Sequence, residues 1–129
     1  MALPIPVARN RRIAVVDDND AVRRSLLLLL GARGFDVDVF AGGAELLAAL
    51  KSADYACFVI DLKLNGAVGT KLLAQIRDQG FRQPAVLISG WDVDSLDKIA
   101  QQSGFSAFVR KPMMNTSIVD LLEQLLSPP

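Results

Sequence analysis

Several residues able to do chemistry stand at the ends of short apolar runs. Asp17-Asp18 follows Ile13-Ala14-Val15-Val16, Asp61 follows Cys57-Phe58-Val59-Ile60, Ser89 follows Val86-Leu87-Ile88, and Lys111 follows Phe108-Val109-Arg110. Carboxylates gathered within a few ångströms repel one another. Two unit charges about 4 Å apart cost about 4 kcal/mol at an effective dielectric near 20. Such a set calls for a cation, and an oxygen-rich site open to solvent suits Mg²⁺. Asp61 is an oxygen nucleophile able to accept a phosphoryl group. Lys111 can clamp a phosphate oxygen and Ser89 can donate a hydrogen bond to another. Pro112, directly after Lys111, is expected to hold that loop bent.

Each residue alone has a plainer explanation. Asp61 could be a turn residue, Asp17-Asp18 a helix cap, Ser89 a turn donor and Lys111 a solvated lysine. Their common placement decides otherwise. Every member falls at the carboxyl end of a different expected strand, where open parallel α/β sheets bind ligands.

The intervening chain must bring those ends together. The run 57–60 is continuous and apolar, as in a strand buried on both faces, and 12–16 repeats the design. Phe35, Val37 and Val39 alternate with Asp36 and Asp38, as in a half-buried strand nearer an edge. Residues 84–90 and 105–110 complete five strands. Helices are expected over 21–30, 44–50, 70–79, 92–102 and from Asn115 or Thr116 to Leu126. Asn19 or Asp20 is expected to cap the first, and Gly31 and Gly34 mark its end. Its run 26–30 is apolar on more than one side, so this helix is expected to be largely covered. Residues 66–69 read as a loop, and the flanks of the fourth helix as mobile. In the last helix Ile118, Leu121, Leu122 and Leu125 are expected to face the sheet, while Val119 and Leu126 exceed that stripe. Strands alternating with helices imply βαβ units and a parallel sheet with right-handed crossovers.

Composition narrows the classes. The 129 residues suit one domain, with 1–10 a loose lead-in, 11–126 the folded unit and 127–129 a tail or the start of a linker. Fourteen basic and fourteen acidic residues cancel, which argues against direct nucleic-acid contact. No apolar run reaches the roughly 18 residues of a membrane span, and the N-terminus does not read as a secretory signal. The single Cys57 reads as a small core residue, and a cytoplasmic location is expected. With no histidine in the chain, imidazole catalysis is excluded.

Taken together, Val15-Val16-Asp17-Asp18, Val59-Ile60-Asp61-Leu62, Ile88-Ser89-Gly90 and Phe108-Val109-Arg110-Lys111-Pro112 resemble the receiver domain of two-component response regulators, over residues 11–126. The resemblance implies a flavodoxin-like, five-stranded parallel sheet of order 2-1-3-4-5 with five helices. It implies phosphorylation of Asp61 by a sensor histidine kinase, a phosphotransfer protein or a small phosphodonor. Asp18, Asp61 and the Lys63 carbonyl would bind Mg²⁺ directly, and Asp17 through water. Ser89 and Phe108 would form a switch pair that reshapes the face made by the fourth helix, fifth strand and fifth helix.

The chain departs from the usual pattern in places. Asn65 stands where proline is frequent, Gly90 where alanine is common, and Phe108 where tyrosine is frequent. Lys63 and Trp91 flank the path of water to an acyl phosphate and are expected to slow its hydrolysis. The expected output is control of a partner, an attached effector, or homodimerisation through the same face or the fifth helix. Two other functions compete: a small aspartyl-phosphate phosphatase, and a degenerate receiver used only for binding. The aspartates are split between strands and no cap insertion is visible, which weighs against the phosphatase. Asp61 and Lys111 are both retained, which weighs against the degenerate form.

Overall fold

The computed structural model describes residues 10–64, 67–90, 96–111 and 117–127. The strands are β1 (Arg12–Val16), β2 (Asp36–Phe40), β3 (Cys57–Asp61), β4 (Lys63–Leu64), β5 (Ala67–Val68), β6 (Ala85–Ser89) and β7 (Ala107–Arg110). The helices are α1 (Asp20–Gly31), α2 (Gly43–Ala49), α3 (Gly69–Asp78), α4 (Leu96–Gln102) and α5 (Ser117–Leu126). Five strands form one parallel sheet of order β2-β1-β3-β6-β7. Counted without the short β4 and β5, this is the order 2-1-3-4-5.

Side-chain alternation divides the core between the two faces of the sheet. Ala14, Val16, Phe58, Ile60 and Leu87 pack with Leu46 of α2, Leu73 and Ile76 of α3, and Leu96 of α4. Ile13, Val15, Val59, Val86 and Ile88 pack with Leu26 and Leu30 of α1 and Ile118, Val119 and Leu122 of α5. All five residues of β3 are buried, as its unbroken apolar run foretells. Cys57 belongs to this core, and burial pushes its thiol up to about 12.

Local chemistry sets the helix ends. The Asn19 side chain caps α1 by accepting from the Val22 N–H at 3.1 Å. Gly34, at φ 84°, supplies the left-handed residue that turns the chain from α1 into β2.

Some expectations fail for physical reasons. Within α1, Leu26 and Leu30 are buried, but Leu27 is 41% and Leu28 68% exposed. One sheet face can cover only one stripe of a helix, so a five-leucine run must leave part in water. In α5 the covered stripe is Ile118, Val119 and Leu122, with Leu121, Leu125 and Leu126 half-buried. Val119 therefore lies inward, the helix being rotated from the expected phase. The stretch expected as a loop after Gly66 is more regular. Ala67–Val68 pairs antiparallel with Lys63–Leu64, and Gly69 already opens α3. Phe105 precedes its strand rather than starting it. The expected mobility around the start of α4, and the cap of α5, fall on residues outside those described.

No helix among the described residues is long and apolar enough to cross a membrane.

Candidate functional site

Strand register brings the polar ends together. Val16 is level with Ile60, so Asp17 follows β1 beside Asp61. Asp61 is level with Ile88, and Ser89 is the next residue of β6. Ser89 is level with Arg110, and the Lys111 N–H donates to the Ser89 carbonyl at 2.8 Å. Asp18, Asn19, Asp61, Lys63, Gly90 and Lys111 line a cleft of about 330 Å³ at this carboxyl edge.

Carboxylate oxygens of Asp17, Asp18 and Asp61 lie within 4.8 Å of one another. Asp17 and Asp61 are buried, whereas Asp18 is exposed. Lys111 Nζ stands 2.7 Å from Asp17 Oδ2 and 3.2 Å from Asp61 Oδ2. Asp17 Oδ2 is buried, and the Lys111 ammonium is its contact among the described residues. Asp17 Oδ1 accepts from the Asn19 N–H at 2.9 Å.

The electrostatics favour an additional cation. Burial first, and the charge of Asp17 second, push the Asp61 carboxyl up to about 6. The Lys111 charge and the Lys63 N–H pull the other way. Burial alone would lower the Lys111 pKa, but its contacts with Asp17 and then Asp61 outweigh that and raise it. Three carboxylates facing one ammonium leave an excess of negative charge in an oxygen-only donor set. That set fits a hard divalent cation.

The chain belongs to the response regulator receiver domain family. The family matches residues 13–123. The C4-dicarboxylate transport transcriptional regulatory protein DctR of Rhodobacter capsulatus is 33% identical over 84% of this chain and 56% of its own length. The transcriptional regulatory protein FixJ of Azorhizobium caulinodans is 31% identical over 83% of this chain and 51% of its own. Full-length FixJ from B. japonicum superposes with a TM-score of 0.81 at 29% identity, over 92% of this chain and 58% of that one. This receiver thus spans about half the length of these relatives.

The other expected residues distribute as follows. Ser89 is buried at the end of β6, and Lys63 is exposed at the cleft. Gly90 lies against Lys111: a Cβ there would sit 3.4 Å from Lys111 Cδ, an ordinary contact. Phe108 lies on another surface. It is 36% exposed, its ring centroid 5.9 Å from the Arg110 guanidinium, in a groove with Val109, Ser117, Asp120, Leu121 and Gln124. Trp91 and Pro112 lie outside the described residues.

Two residues at the site escaped the sequence reading. A Cβ on Gly69 would fall 2.1 Å from the Asp61 carbonyl oxygen, so the first residue of α3 presses on the backbone of the candidate acceptor. A glycine as the first residue of a helix, where it costs helix propensity, was the available signal. Arg23 donates to the Asp17 carbonyl at 2.7 Å. Its signal was spacing: it stands three residues after Asp20, about one helical turn along α1.

Proposed function

We propose that this receiver is a phosphorylation-controlled switch whose acceptor is Asp61. One observation carries the reading: a buried carboxylate shares an ammonium with Asp17 inside an acidic cleft. With its carboxyl at about 6, Asp61 is mostly ionised at neutral pH and can act as the nucleophile. An Asp61 carboxylate oxygen attacks phosphorus and the bond to the donor breaks; a histidine nitrogen leaves as neutral imidazole after taking up a proton, and a carboxylate donor leaves as the anion. The donor is a phosphohistidine of a sensor kinase or phosphotransfer protein, or a small phosphodonor.

Asp17, Asp18, Asp61 and the Lys63 carbonyl would hold Mg²⁺. Bound there, the cation neutralises charge on the transferring group. Lys111 takes a phosphoryl oxygen, and the Ser89 hydroxyl donates to another beside Gly90. The response then passes through Ser89 and Phe108 to the face formed by α4, β7 and α5, which controls a partner, an attached effector or a second copy. Lys63 would slow the attack of water on the acyl phosphate. The chemistry is self-phosphorylation and self-dephosphorylation rather than turnover of a substrate, in a cytoplasmic setting.

Intact-mass measurement after incubation with Mg²⁺ and acetyl phosphate or phosphoramidate tests the reading. A stable single-phosphate adduct in the parent, lost in Asp61→Asn, is expected. Continuous phosphate release would favour a phosphatase, and no adduct a binding module. Sedimentation of the phosphorylated chain reports whether it pairs.

A further inference from the structure

Arg23 reaches back from α1 to the loop that carries the paired carboxylates. One guanidinium nitrogen donates to the Asp17 carbonyl at 2.7 Å, the other to Asp20 Oδ1 at 3.2 Å. The side chain is 19% exposed; its bond to the Asp17 carbonyl is partly sheltered from water, while Asp20 is 69% exposed and that contact faces solvent. Besides the Lys111 contact to its Oδ2, Asp17 is tied at two other points. Its N–H donates to the Phe40 carbonyl at 3.1 Å, and its Oδ1 accepts from the Asn19 N–H. The Asp17 carbonyl belongs to the rigid peptide unit that leads into Asp18. Asp18 is exposed, so packing does little to place its carboxylate, and the main chain must do it.

We propose that Arg23 is a positioning residue for the divalent-cation site. By tying the Asp17 carbonyl to Asp20, it fixes the peptide entering Asp18 and keeps that carboxylate within reach of Asp17 and Asp61. The inference rests on the reading of these three aspartates as cation ligands.

Charge and geometry make opposite demands here, which gives the test its sign. A guanidinium near a cation site repels the cation, so removal of its charge alone would tighten binding. Loss of the tie would loosen binding, because groups that orient metal ligands typically contribute about ten- to hundredfold in affinity.

The test titrates the full chain with Mg²⁺, followed by calorimetry or amide NMR shifts. The parent is compared with Arg23→Met, which keeps an unbranched stem without donors, and with Arg23→Lys, which can still donate to the carbonyl. Arg23→Met is expected to weaken Mg²⁺ binding about tenfold, and Arg23→Lys to recover most of the loss. Unchanged or tighter Mg²⁺ binding by Arg23→Met overturns the proposal, even if its unfolding midpoint in chelator drops. If the parent itself binds no Mg²⁺, this inference and the reading beneath it fall together. If only the Arg23→Met effect is missing, this inference falls alone. Should Arg23→Met not fold, Arg23→Ala, which also lacks a side-chain donor, carries the same comparison.

Discussion

Lys111 lies nearer to Asp17 than to Asp61, 2.7 Å against 3.2 Å. The ammonium is therefore anchored on a carboxylate that is not the candidate nucleophile, and shared with the one that is. Removing it would leave two buried carboxylates facing each other. Breaking a buried pair by deleting one partner costs about 3–5 kcal/mol, and the partial exposure of Lys111 places this case near the lower end. Lys111→Met is expected to lose about 3 kcal/mol at pH 7 in chelator, read by urea denaturation. Mg²⁺ should return part of that loss by replacing the missing charge. A loss indifferent to Mg²⁺ would count against the shared-cation arrangement.

The raised pKa of Asp61 makes a pH prediction with a definite sign. Its folded value, about 6, lies above the ordinary 3.8, so the native state holds a proton that the unfolded chain releases earlier. Stability from this group is complete below pH 3.8 and is lost as pH rises to about 6. Two pH units correspond to on the order of 2–3 kcal/mol. Asp61→Asn cannot titrate. In chelator, the stability of the parent relative to Asp61→Asn should therefore fall between pH 4 and 7 and then level off. Denaturant midpoints across that range check it, and a flat difference curve would refute it.

Gly69 and Gly31 form a matched pair of tests. A methyl group at Gly69 would meet the Asp61 carbonyl oxygen at 2.1 Å and Ile60 Cγ2 at 3.0 Å, neither of which can step aside cheaply. A methyl group at Gly31 meets nothing within 4 Å and lies in α1. Gly31→Ala should stabilise by up to about 1 kcal/mol through helix propensity. Gly69→Ala should destabilise by about 3 kcal/mol or more and lower the rate of adduct formation, since the backbone of Asp61 must move.

Tyr55 is the only tyrosine, which makes its ionisation directly readable. Its hydroxyl donates to Asp38 Oδ2 at 2.7 Å, an oxygen that Arg12 also holds at 2.8 Å. Burial first, then the bond to Asp38, raises its pKa well above the ordinary 10. In the unfolded chain the phenol ionises near 10, so stability falls as pH rises past that value. The tyrosinate absorbance should therefore appear together with unfolding at alkaline pH. A separate titration near 10 in folded protein would show that the Tyr55–Asp38 contact does not form.

How much was legible from the chain depends on the kind of signal. Apolar runs ending in Asp17, Asp61 and Ser89 fixed three strands because each is buried on both faces, and the partly exposed run before Lys111 joins them at one edge through the shared register. Close approach and helix rotation left weaker traces. That Gly69 touches the Asp61 backbone depends on where a separate helix begins. That Val119 rather than Leu121 lies fully inward depends on the rotation of α5 about its axis. Neither is encoded in residue type.

The leucine run of α1 turns the same point into measurement. Leu26 and Leu28 are the same residue type, two positions apart, in the same helix. Leu26 is 1% exposed and packs with the core beneath α1 and α5, while Leu28 is 68% exposed. Truncating a buried leucine removes its transfer free energy and opens a cavity, typically about 2–5 kcal/mol together. Truncating an exposed one changes little, and alanine improves helix propensity slightly. Leu26→Ala should lose about 3 kcal/mol and Leu28→Ala stay within about 0.5 kcal/mol of the parent by chemical denaturation. If both cost the same, either α1 is rotated from the described position or a second surface covers Leu28 in solution. Repeating the measurement over a range of protein concentrations separates those cases, because only a self-associating surface makes the Leu28→Ala cost depend on concentration.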